Sequence, residues 1–568
     1  MRVIPEKEKP PDLLVDFYSF FFCITLKKEP TIKSGDKMKK RIIVALFIFV
    51  GIIGTLLALS NKKDDIQIKK ADIQDVVKFL SKPKNDMDLP VTGTIENEYQ
   101  VDDVDESDFI KYDQQRTYVV DYQKLYVIDN ENETVVSEIA FDDFMPTELL
   151  LTDSQIILLG IKNIQLDVEI IPGRTFPYRN SECVIYVLNK DDYSIARYLS
   201  FDGSYYISSA IVENDFYFIL SNHQIFNPET KKFICPQYFD SLYFKQTLSE
   251  DELYLSEAGD NVYAIRLLAK LSLNEKKPLE LKGFLGIEGI VKIDDGKMIM
   301  VSVLYDQISK IAIHVLSLKH FQYDGYLILN GYLYNAYAID IYQNYLRVAT
   351  TYYQNNQPIN FLYNISLSNF KIKARKEIAP SETVYAIRFY QNYCYISTFL
   401  YVDPLLLYDF SNPTQIQMIK EVELEFVCEY LQVKDNSIFA LGRKVDDNMA
   451  SQGLVLALFH QSDLSLQDIY EINEPYADTE VKYNEKAMSI FQDKIIFPMY
   501  KESGQSLQIF SIRNTIEPIR EIPVIEDYIL RSIVLDSKIL CVGSTKLYSY
   551  DTQNFDLMKT TTYKRIEK

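Results

Sequence analysis

The chain has 568 residues, 47% of them apolar, with 80 Asp and Glu against 60 Lys and Arg, a net charge of −20. That balance excludes a nucleic-acid binder, which needs a basic stripe to displace counterions. The apolar fraction excludes a disordered chain, and such a length buries a large core without help from disulfides or metals.

Residues 1–37 read as a non-native or disordered extension. Met38-Lys39-Lys40-Arg41 followed by an apolar run is how an export signal begins, so Met38 is expected as the true start. The 18 residues from Ile42 to Leu59 carry no charge, and 13 of them are Ile, Leu, Val or Phe. That is long enough for a membrane helix, with an insertion free energy on the order of −4 to −8 kcal/mol. Lys37, Lys39, Lys40 and Arg41 precede it, and Lys62 and Lys63 follow with Asp64 and Asp65 immediately after, so the N-terminus is expected inside and residue 60 onward outside. The length of the run favours a retained single-pass anchor in 38–60; the alternative is secretion after cleavage near Ser60, with small Ala58 and Ser60 at −3 and −1. Residues 61–95 read as a linker. One short helix is expected between Ile66 and Leu80, capped by Asp72 and striped by Val76, Val77, Phe79 and Leu80.

From residue 96 to 563 helical periodicity gives way to hairpins. The 43 Tyr and 32 Phe, with no Trp, favour strands. An apolar run meets a short polar turn and then a second apolar run, as in 149–159 and 532–542. Such turns fall near residues 113, 153, 214, 295, 344, 392, 436, 493 and 536. The segment 337–345 (YAIDIYQNY) returns at a shift of 48 as 385–393 (YAIRFYQNY). Each hairpin is followed by a third and a fourth strand, and four strands per 40–60 residues is the unit of a propeller blade. Strands apolar on both faces, such as 297–301, fit sheets covered on both sides. The fold class expected is all-β: one large β-propeller of eight or nine four-stranded blades, with seven also compatible, behind the N-terminal helix. A pair of β-sandwiches does not predict the 48-residue match, and solenoid periods are shorter. The long interval from 214 to 295 requires an insertion around Asn222 to Asp260. Ring closure makes Phe109 to Ile128 a neighbour of Lys546 to Asp551.

Three segments resemble a known family. Gln100-Val101-Asp102-Asp103-Val104-Asp105-Glu106-Ser107-Asp108-Phe109-Ile110-Lys111-Tyr112-Asp113 is similar to the V-x-G-V-D-E-A-D-I-V-K-T-D entry of the secreted bacterial β-propeller-domain family, distantly related to WD40 repeats. Tyr345-Leu346-Arg347-Val348-Ala349-Thr350-Thr351 resembles its G-x-L-R-V-A-T-T segment, and 402–413 resembles V-D-P-L…D-L-S-D-P. Asp103 departs from the family's Gly, Ser107 from its Ala, Phe109 from its Ile and Tyr112 from its Thr. The resemblance implies export and a propeller, and it brings no catalytic residues.

The densest acidic run in the body is Asp102, Asp103, Asp105, Glu106 and Asp108. Carboxylates are Ca²⁺ ligands, which makes this a candidate metal site. In an extended segment, however, Asp103 and Asp105 take one face and Asp102, Glu106 and Asp108 the other. The ordinary reading is loop capping and pairing with Lys or Arg. No cofactor is expected. Cys183, Cys235, Cys394, Cys428 and Cys541 show no metal spacing and read as small buried residues, with one disulfide left open. His223, His314, His320 and His460 sit in no motif. The function expected is an extracellular binding or interaction module for a protein or glycan, with Tyr205-Tyr206 and Tyr352-Tyr353 as loop contacts. The alternative is an enzyme, a hydrolase or lyase on a polysaccharide or peptide, with its site in the propeller funnel.

Overall fold

A computed structural model of the protein describes residues 68–71, 74–76 and 104–564, apart from short stretches at 172–173, 228–231, 257–263, 288, 305–309, 400–402, 435, 447 and 536. The extension 1–37, the run from Ile42 to Leu59 and the cleavage point near Ser60 lie outside these residues. Among the described residues no helix is long and apolar enough to cross a membrane.

Nine antiparallel sheets follow one another along the chain, at 110–140, 144–202, 204–285, 291–330, 339–378, 383–424, 427–472, 489–524 and 529–562. Each contains four strands in sequence order, named A to D here from the channel outward. All nine polar turns read from the sequence are A–B turns. Two of them place neighbouring residues at positive φ: Gln343 and Asn344, then Asp295 and Gly296. Tight two-residue hairpins favour that conformation because it matches the strand twist. In eight blades the C–D pairing carries a register shift, for example between Val127 and Ile128 or Asn364 and Ile365. The added twist helps narrow inner strands fan out to wide outer ones.

Shared apolar cores run all the way round the ring. Blades 4, 5 and 6 share one cluster, and every other neighbouring pair shares its own. The last joins the chain ends: Ile110, Val119, Tyr126 and Ile128 of blade 1 pack with Ile533, Leu540, Val542, Leu547 and Tyr563 around blade 9. Each of those blades owns all four of its strands, so closure rests on side chains rather than on an exchanged strand.

The insertion falls between the B strand Asp215–Asn222 and the C strand Ile265–Ser272 of blade 3. Its hairpin Gln237–Asp240 and Phe244–Thr247 extends the outer edge of blade 2, fastened by a buried Arg197–Asp240 pair at 2.5 Å. Its strand Leu253–Ser256 runs parallel to the outer strand of blade 3, Glu280–Leu285, and takes Ile68–Lys70 on its free side. Of the stretch from Ile66 to Leu80, where one short helix capped by Asp72 is expected, only residues 68–71 and 74–76 are described. Ile68–Lys70 is a strand and residues 74–76 are helical, because a free sheet edge offers backbone partners that an isolated short helix lacks. Cys183, Cys394 and Cys541 are buried and Cys235 is half-buried, and these four form no disulfide; Cys428 is buried and donates to the Tyr430 carbonyl at 3.6 Å.

Candidate functional site

The up-and-down order gives the ring two different faces. A–B and C–D turns lie on one, B–C turns and the D–A links between blades on the other. On the A–B face the turn acids are occupied locally. Asp192 accepts from the Ser194 amide at 3.0 Å, Asp409 from Ser411 at 2.8 Å, Asp463 from Ser465 at 3.0 Å and Asp551 from Gln553 at 2.8 Å. These are Asx turns. The bonds hold the Asp192, Asp463 and Asp551 carboxyls below the usual range.

The D–A face is tyrosine-rich. Among the described residues eight tyrosines are exposed. Tyr334, Tyr476, Tyr483 and Tyr528 lie on D–A links, Tyr205 begins an A strand, and Tyr122 and Tyr353 lie at B–C turns. Only Tyr112 is on the opposite face. Tyr205 and Tyr353 belong to the pairs named from the sequence. Their partners turn inward, as strand alternation requires: Tyr206 bonds Ser107 at 2.7 Å and Tyr352 stacks on Phe361. Three short 3₁₀ turns shape the links, Ala336–Ala338, Glu480–Lys482 and Glu485–Ala487. Each is capped by a side chain: Asn335 accepts from Tyr337, Thr479 from Val481 and Asn484 from Lys486.

Those caps aim side chains into the channel. The Arg388 guanidinium lies 3.7 Å from the Tyr337 ring centroid and 5.6 Å from that of Tyr430. It donates to the Leu431 carbonyl at 2.9 Å and to Glu485 at 3.2 Å. Stacking and a carboxylate together compensate a buried charge. No sequence signal marked this group, since its members are up to 148 residues apart.

The acidic entry segment crosses the same channel. Asp105–Glu106 pairs with Ala210 and Ile211 of blade 3, and Asp108 exchanges backbone bonds with Leu149 of blade 2. Its acids go to separate cations rather than to one another: Asp105 to Lys111 at 2.7 Å, Glu106 to Lys486 at 3.6 Å and Asp108 to Arg531 at 3.0 Å. Asp102 and Asp103, the other two acids of that run, lie outside the described residues. Among those residues no group of three or more His, Cys, Asp or Glu is placed to hold a metal ion.

Beside the segment lies a cavity of 880 Å³, lined by Glu106, Asp108, Lys111, Glu485, Lys486, Arg531, Phe491 and Ile533 among others. Tyr112, Phe491 and Leu535, at or just past the A–B ends of their strands, also line it. Burial pushes the Glu106 carboxyl up to about 7. The histidines lie elsewhere. His314 is buried and driven down to about 3. His223 stands 3.2 Å from Ser221 but under the field of Arg266, the wrong charge for a triad.

Nine closed blades, two chemically distinct faces and a plugged channel define the class, a single all-β propeller. The chain belongs to the Beta propeller domain family, whose model matches residues 97–555. It is 26% identical over 230 residues to an uncharacterized protein of Archaeoglobus fulgidus, covering 40% of this chain and 35% of that one. A second uncharacterized protein, from Methanocaldococcus jannaschii, is 25% identical over 238 residues, covering 41% and 37%. The chain thus matches little more than a third of the length of these relatives. Among solved structures, a eukaryotic initiation factor superposes with a TM-score of 0.40 at 10% identity, over 75% of this chain and 89% of that chain. That fit is too loose to bear on function.

Proposed function

We propose that the protein is a binding module that captures a protein partner on its D–A face. The observation that carries this reading is the segregation of tyrosine: among the described residues, seven of the eight exposed tyrosines lie on that face. Tyrosine offers large contact area at low entropic cost and is enriched where proteins meet. The seven are spread from blade 1 to the link before blade 9, which suits a broad partner surface better than a small ligand. The test is capture of proteins from the source cells on the immobilised propeller. Combining Tyr122→Ala, Tyr476→Ala and Tyr483→Ala is expected to weaken the captured complex by about tenfold per side chain. Tyr112→Ala leaves it unchanged. Equal capture by the triple variant overturns the reading, and selective binding on a glycan array replaces protein with glycan.

The basic flank before Ile42 supports an outward-facing, membrane-tethered or secreted propeller. Protease treatment of intact cells is expected to degrade or release it; full protection overturns that location.

A further inference from the structure

We propose that the channel cavity binds a small molecule carrying one ammonium group on an apolar or aromatic body, with Glu106 as its counter-ion. Its lining includes none of the seven exposed tyrosines of the D–A face, so the site does not depend on that reading.

Three observations converge. The first is size: 880 Å³ is the volume of a small-molecule site. The second is an unmet acceptor. Glu106 Oε2 is buried and receives no hydrogen bond. The Lys486 ammonium stands 3.6 Å away and donates instead to the Ser107 carbonyl at 2.9 Å. A buried acceptor without a donor is costly, and a ligand N–H⁺ supplies one. The third is charge. With their ion-pair partners counted, five carboxylates (Asp105, Glu106, Asp108, Glu480, Glu485) face four cations (Lys111, Arg388, Lys486, Arg531) around the cavity, leaving one negative charge over. The cations are already engaged by the entry segment and its neighbours, with Lys111 on Asp105 and Arg531 on Asp108 and Glu480. An anion would have to displace those carboxylates, whereas a monocation completes the balance. Phe491, Ile490 and Ile533 supply the apolar wall against which the body packs.

The probe is 3-phenylpropylamine, compared with the uncharged 3-phenylpropan-1-ol on the full chain by calorimetry and thermal shift. The amine is expected to bind saturably at pH 8 and about tenfold more weakly at pH 5.5, where Glu106 is protonated. The alcohol is expected to bind about tenfold more weakly than the amine, and Glu106→Gln to lose the preference. Three results would each overturn the proposal: equal binding of the alcohol, undiminished amine binding by Glu106→Gln, or no saturable amine binding at pH 8. Should Glu106→Gln not fold, Phe491→Ala serves in its place. It keeps the counter-ion and trims the wall, so several-fold weaker amine binding supports the site and unchanged affinity sinks it. The tyrosine variants of the D–A face leave amine binding intact, which separates this test from that of the partner face.

Discussion

Burial pushes the Glu106 carboxyl up, Lys486 pulls it back, Glu485 pushes it further and Lys292 pulls weakly, with the result near 7 against an ordinary 4.5. The native state therefore holds its proton more tightly than the unfolded chain. Below pH 4.5 both states are protonated and nothing is lost. From 4.5 to 7 the unfolded chain releases a proton that the native state keeps, so stability falls as pH rises. The window of about 2.5 units corresponds to about 3 kcal/mol. Asp294, pushed up to about 6 by burial, slopes the same way, and His314, driven down to about 3, slopes the opposite way. Wild type alone thus shows only their sum. Glu106→Gln fixes the protonated charge state and leaves the other two in place. Its melting temperature relative to wild type is expected to rise from pH 5 to about pH 7 and to level off by pH 8. A constant difference across that range would show that Glu106 does not titrate in the folded state. Reading the acids in sequence finds them but not their partners: Glu106 meets Lys486 from 380 positions away, and only the closed ring brings them together.

Within an element, the recurring device is the bulged A strand. Blades 2 and 7 shift register between Pro146 and Glu148 and between Cys428 and Tyr430. A glycine on the B strand faces each bulge, and a Cβ there would lie 2.1 Å from the Met145 carbonyl oxygen at Gly160 and 1.9 Å from that of Val427 at Gly442. The backbones approach so closely that no rotamer change relieves the contact. Gly442→Ala is expected to cost about 3 kcal/mol, at the upper end for overpacking. Gly296→Ala, with open space around it but φ at +64°, costs about 1 kcal/mol of backbone strain alone. Urea midpoints of the two variants check the ranking, and equal shifts would remove the bulge argument. The A–B turns are legible in the sequence because polar residues interrupt two apolar runs at a place where φ must turn positive. The bulges are not, since the extra residue leaves the alternation on each side intact. The strand Ile68–Lys70 is hidden for a related reason: its partner, Leu253–Ser256, lies inside an insertion, and nothing local marks it as an edge.

At the scale of the whole ring, the nine turns legible in the sequence each begin one of the nine blades, although the sequence alone leaves eight or seven blades open, and the 48-residue copy belongs to blades 5 and 6. What the count does not reveal is how the ring holds shut. Glu133 is the centre of that seam. Its buried carboxylate accepts from Lys538 at 2.6 Å and from Ser549 at 2.8 Å, and its backbone carbonyl accepts from Thr561 at 2.7 Å. Tyr126 meets Tyr563 edge to face beside it. Because neither end blade borrows a strand, these contacts and the apolar cluster beneath them carry closure. Glu133→Ala leaves Lys538 mostly buried without its carboxylate, a loss of about 3–5 kcal/mol. Glu138→Ala breaks the nearby but exposed pair with Lys124, whose two side chains are 46% and 42% accessible, and should cost less than about 1 kcal/mol. Hydrogen exchange gives the discriminating readout. With the seam weakened, amides of Lys124–Asp129 and Lys538–Gly543 should exchange faster than those of blade 5, on the far side of the ring. Uniform acceleration in every blade would mean that Glu133 stabilises the fold without closing it.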